Sequence, residues 1–77
     1  MQTRFKRHQN VRLLRDPDPE YIEYDPEYYE SRPQIKAGMT GKVNIILSNG
    51  QYHVKIIDKN NNIIAYVKVD EDSLESD

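Results

Sequence analysis

Thr40-Gly-Lys-Val-Asn-Ile-Ile-Leu-Ser-Asn-Gly-Gln-Tyr-His-Val-Lys-Ile-Ile57 contains two alternating apolar runs joined by Ser48-Asn49-Gly50-Gln51. Asn-Gly accepts the positive φ angles of a two-residue hairpin turn, so the stretch reads as two antiparallel strands. Pairing outward from the turn sets Leu47 opposite Tyr52, Ile45 opposite Val54 and Val43 opposite Ile56. These large side chains then share one face, the expected core. The other face carries Asn44, Ile46, Ser48, Gln51, His53 and Lys55, polar apart from Ile46.

Working outward, Asn60-Asn61 predicts a second reversal, because asparagine tolerates left-handed backbone. Its register places Ile56 opposite Ala65, Val54 opposite Val67 and Tyr52 opposite Val69, which selects the same inner face. Ile57 then faces Ile64 and Lys55 faces Tyr66 on the outside, leaving a broken apolar strip of Ile46, Ile57, Ile64 and Tyr66. Upstream, Asn10-Val-Arg-Leu-Leu-Arg15 reads as a first strand with Val11 and Leu13 on one face. Downstream, the chain from Val69 to Glu75 reads as a strand end, a polar turn and a short last strand returning Leu74 to the core.

Between the first strand and the hairpins lies a connection, residues 16–34, holding all four prolines and four of the six tyrosines. Pro19-Glu-Tyr-Ile-Glu23 and Pro26-Glu-Tyr-Tyr-Glu30 echo each other inside it. Asp18 and Asp25 stand where N-caps stand, each before a proline at the first helical position, so each copy predicts one helical turn. Residues 1–8 form a basic arm and residues 9–75 the domain.

With 77 residues, 36% hydrophobic and 31% charged, the chain has room for one small core and none for a separate cofactor-binding domain. It has no cysteine, so no disulfide scaffold or thiolate metal site is expected, and the expected setting is the cytoplasm. No apolar run reaches the length of a membrane span, roughly 18 residues. Charge is arranged in blocks behind a net value of −2. Arg4, Lys6, Arg7, Arg12 and Arg15 stand without an acid in residues 1–15. Asp16, Asp18, Glu20, Glu23, Asp25, Glu27 and Glu30 follow without a base.

The order of strand, long loop, Gly38-Met-Thr-Gly41-Lys-Val43, two hairpins and a closing strand resembles small SH3-like barrels of about five antiparallel strands. Lys36-Ala-Gly-Met-Thr-Gly-Lys-Val43 is similar to the strand entry of the KOW module of ribosomal and transcription proteins. Val11-Arg-Leu-Leu-Arg15, Tyr52-His-Val-Lys-Ile56 and Asp72-Ser-Leu-Glu75 give a layout similar to photosystem I subunit IV and the ferredoxin-thioredoxin reductase variable chain. Subunit O of the photosynthetic NAD(P)H-quinone oxidoreductase and single-domain prokaryotic SH3-like families share it. The resemblance implies an all-β barrel and a docking subunit without chemistry of its own.

The residues agree with a non-catalytic role. His8 and His53 have no second ligand at metal spacing, and the serines have no recognisable His-Asp partners. No cofactor or metal is expected. The candidate partner-binding residues are Tyr21, Tyr24, Tyr28 and Tyr29 in the loop, with Ile46, Ile57, Ile64 and Tyr66 on the outer face. They point to a protein partner, a larger complex or a homo-oligomer. The alternative is a KOW-like RNA or ribosome binder using Arg4, Lys6, Arg7, Arg12, Lys36 and Lys42. Against it stand the acidic blocks and the absence of an expected aromatic-basic stripe on the strands.

Overall fold

The computed structural model describes residues 4–77; residues 1–3 of the basic arm lie outside the described residues. Among the described residues six strands form one antiparallel sheet: β1 (Asn10–Leu13), β2 (Ile22–Tyr24), β3 (Thr40–Ile46), β4 (Gln51–Ile57), β5 (Ile63–Asp70) and β6 (Leu74–Ser76). Their spatial order is β2-β5-β4-β3-β1-β6. No α-helix occurs among the described residues; the helical elements are 3-10 turns at Pro19–Tyr21, Pro26–Tyr28 and Glu71–Ser73. Among the described residues the ladder ends at β2 and β6, which are not paired with each other, so the expected cylinder is not closed by hydrogen bonds there.

The alternation of apolar and polar residues accounts for the core. Val11 and Leu13 of β1, Val43 of β3, Tyr52, Val54 and Ile56 of β4, Ala65, Val67 and Val69 of β5 and Leu74 of β6 belong to one buried cluster. A single sheet without a covering layer of helices can bury one face this fully only by curling round it. Val11 and Leu13 face inward as expected, while Arg12 and Leu14 are exposed. Leu74 returns to the core through the last 3-10 turn and is fully buried. Phe5, in the basic arm, is also buried, its ring meeting Tyr52 edge-on at a centroid distance of 5.5 Å.

The β4–β5 register matches the expected one at Ile56/Ala65, Val54/Val67 and Tyr52/Val69, by a different route. The loop is closed by Asp58 and Asn62, with Asn61 at φ 69°. That closure is one residue out of step with a two-residue turn at Asn60-Asn61. A bulge between Ile56 and Ile57 restores the register by leaving Ile64 as the extra residue on β5. The side chain of Ile64 is thereby carried into the core cluster, 8% exposed, and not onto the outer strip where alternation alone places it.

The β3–β4 register departs from expectation. Asn49 and Gly50 both have positive φ, as the Asn-Gly turn requires. However, the Leu47 amide donates to the Gln51 carbonyl at 2.9 Å, which shifts the strands by one. A second irregularity between Val43 and Ile45 shifts them again in the same direction, with Asn44 as the extra residue. Val43 therefore lies opposite Val54, Ile45 opposite His53 and Ile46 opposite Tyr52. Ile45 turns outward, 47% exposed, and Ile46 packs against the core, the reverse of the expected assignment.

The connection from Asp16 to Pro33 contains both expected helical turns. Asp18 Oδ1 accepts the Glu20 amide at 3.0 Å and Asp25 Oδ1 accepts the Glu27 amide at 3.1 Å. Each turn begins with its proline. Between them the chain forms an unexpected sixth strand, β2, so the segment is an edge of the sheet as well as a connection. Ile22 lies opposite Val67 and Tyr24 opposite Ala65.

Candidate interaction surface at the sheet edge

Three residues, Ile-Glu-Tyr, are enough for β2 because their alternation matches the edge of the curled sheet. Ile22 and Tyr24 pack against the core and Glu23 is exposed. The Tyr24 hydroxyl donates to the Pro33 carbonyl at 2.8 Å, tying β2 to the C-terminal end of the segment. Tyr28 also packs on the core. Two of the four loop tyrosines are therefore partly spent on covering it.

The other two face solvent: Tyr21 is 47% exposed and Tyr29 58%. Each already carries a cation from this chain. The Arg32 guanidinium lies 4.7 Å from the Tyr29 ring centroid, and Lys68 Nζ lies 4.1 Å from that of Tyr21. Arg32 is held in place at φ 43°, its Nε donating to the Tyr29 carbonyl at 3.0 Å. An open groove runs along this edge, lined by Pro19, Ile22, Glu23, Tyr24, Pro26, Tyr29 and Arg32. Pro19, Ile22, Glu23, Pro26 and Arg32 were not among the expected site residues. The signal for the first four was the alternation Ile22-Glu23-Tyr24 between two Asp-Pro turns; Arg32 had none.

The expected apolar strip is not assembled. Ile64 is in the core, Ile46 packs against it, and Ile57 and Tyr66 are half-buried on the outside. The outer face instead holds a cross-strand row of Lys42, Lys55, Tyr66 and Glu23. His53 stacks on Tyr66 at 5.2 Å between centroids, and its Nδ1 lies 3.0 Å from Asn44 Nδ2. With Lys68 opposite His53, this face does carry the aromatic-basic stripe that the sequence reading lacked.

The remaining basic residues are dispersed. Arg12 is paired with Glu75 and Asp77, so its charge is largely answered within the sheet. Arg4 lies over the Phe5 ring at 5.2 Å, and Lys6, Arg7 and Lys36 are exposed. Among the described residues no group of three or more His, Asp or Glu side chains is placed to hold a metal ion. No helix of the described residues is long and apolar enough to cross a membrane. No protein-family model matches this sequence, and searches of curated proteins and of solved structures found no significant match.

Proposed function

We propose that this chain is a non-catalytic protein-binding module of SH3-like architecture that docks on a larger partner through the segment 16–34. The observation that carries the reading is the exposure of Tyr21 just before and Tyr29 just after the edge strand β2, with Tyr29 lining a groove it shares with Pro19, Ile22, Tyr24 and Pro26. Large amphipathic rings in solvent cost little conformational entropy when they are buried by a partner. Tyr24 and Tyr28 anchor the same segment to the core, so the exposed rings stand on a fixed support.

The test compares the immobilised protein with its Tyr29→Ser variant in native mass and capture experiments. The wild type should retain one protein at fixed stoichiometry, and the variant should lose it while keeping its thermal midpoint. A wild type that stays monomeric and captures nothing overturns the reading.

A second reading, RNA binding, is favoured by one observation, the outer row of Lys42, Lys55 and Tyr66 beside the His53 stack. Phosphate contacts make affinity fall steeply with salt. A labelled single-stranded RNA that fails to bind at low salt removes this reading.

A further inference from the structure

We propose that the free edge of β2 receives an extended, arginine- or lysine-bearing segment of the partner as an added strand. The proposal rests on the protein-binding reading and names the chemistry of what is bound.

The hydrogen-bond phase of the ladder shows which backbone groups are free. The Asp25 amide donates to the Ile64 carbonyl at 2.9 Å, so the hydrogen-bonded pairs are Asp25/Ile64 and Glu23/Tyr66. Ile22 and Tyr24 then direct their backbone groups away from β5. The Ile22 amide turns back to the Pro19 carbonyl. Among the described residues three groups remain without a partner along the groove: the carbonyl of Ile22 and the amide and carbonyl of Tyr24. An added strand satisfies all three, and this is a general mode of peptide recognition.

Length and charge restrict the occupant. Pro19 and Pro26 bound the edge and offer no amide, which confines pairing to Ile22–Tyr24. Three backbone bonds make a weak complex, so side-chain contacts must supply the rest. The segment 16–30 holds seven carboxylates and no base, and Glu23 projects beside the groove. A second copy of this chain would set the same carboxylates against each other across a shared edge, whereas a cationic strand is attracted. Of the two charged residues lining the groove, Arg32 is already engaged over the Tyr29 ring and by the Tyr29 carbonyl, whereas Glu23 has no ion-pair partner among the described residues and is open to an incoming cation.

The experiment uses a capped Val-Arg-Val-Arg-Val-Arg peptide, its glutamate counterpart, and the arginine peptide N-methylated at alternate residues. The arginine peptide should bind, weaken by about tenfold from low to physiological salt, and slow hydrogen exchange at the Tyr24 amide. Glu23→Lys should weaken it by about tenfold, as reversal of an adjacent charge does, with the thermal midpoint unchanged. Equal binding by the glutamate or N-methylated peptide, or an unprotected Tyr24 amide at saturation, overturns the added strand. If Tyr29-dependent capture of a protein persists while the Tyr24 amide stays unprotected in that complex, the strand proposal falls and the docking reading stands. If capture also fails, both fall.

Discussion

Gly41 of β3 passes so close to the backbone carbonyl of Lys55 on β4 that a Cβ at Gly41 would overlap its oxygen. The neighbour is main chain in the centre of the sheet, so it cannot turn aside as a side chain would. Gly41 also lies opposite Val11 of β1, where the curl brings three strands together. Gly41→Ala should therefore cost about 3 kcal/mol, the upper part of the range for overpacking, read as a lower urea midpoint. Gly50→Ala is the comparison: at φ 73° with nothing within 4 Å of the added carbon, it carries backbone strain alone. Its cost should be about 1–2 kcal/mol.

The contrast between Ile45 and Ile64 shows what was legible in the sequence. Alternation identified β1, β3, β4, β5 and β6 and the inward residues of β4 and β5, because period-two patterning is local and strong. It failed where Asn44 and Ile64 add one residue to a strand, since bulges answer the curvature needed to wrap the sheet. That curvature is set by distant contacts. The strand β2 was missed for a similar reason: three residues between two turns form a strand only because β5 offers an edge. The acidic segment's caps and exposed tyrosines were readable, whereas the groove beside Tyr29 depends on that pairing.

These placements can be tested directly. Ile45→Ser should change stability by less than about 0.5 kcal/mol, as an exposed substitution does. Ile64→Ala should cost about 2–4 kcal/mol through loss of buried volume. Chemical denaturation of the two variants decides the matter. Similar costs, or a larger one at Ile45, would mean that alternation without bulges describes these strands.

Tyr52 joins three distant parts of the chain. Its ring is fully buried, its hydroxyl donates to Glu71 Oε2 at 3.0 Å, and the Tyr52 hydroxyl oxygen accepts the Phe5 amide at 3.3 Å. The bonds attach the last 3-10 turn and the N-terminal arm to the middle of the sheet. Tyr52→Phe keeps the ring but strips the Phe5 amide of its acceptor. It should cost about 1–3 kcal/mol, the range for leaving a buried donor unpaired. Hydrogen exchange at the Phe5 amide should also rise by more than the loss of global stability explains. Exchange that rises only in step with global stability would show that the arm is held by the Phe5 ring alone.

Asp58 makes the β4–β5 hairpin sensitive to acid. The Asn62 amide donates to its Oδ1 at 2.9 Å and the Asn60 amide at 2.8 Å, while the Asn62 side chain approaches its Oδ2 at 3.5 Å. The Asn62 amide is the largest cause holding this carboxyl below its usual range, with the Asn60 amide, the Asn62 side chain and the nearby Lys59 ammonium acting in the same direction. Because the folded value is the lower one, the folded state favours the ionised form. Its contribution is complete above the unfolded carboxylate range and is lost as pH falls through the folded value. Asp58→Ala should therefore lower the thermal midpoint most at neutral pH, and the gap from wild type should narrow on acidification below the usual carboxylate range, near pH 4. A gap that is constant with pH would mean that the loop depends on the left-handed conformation of Asn61 and not on the charge of Asp58.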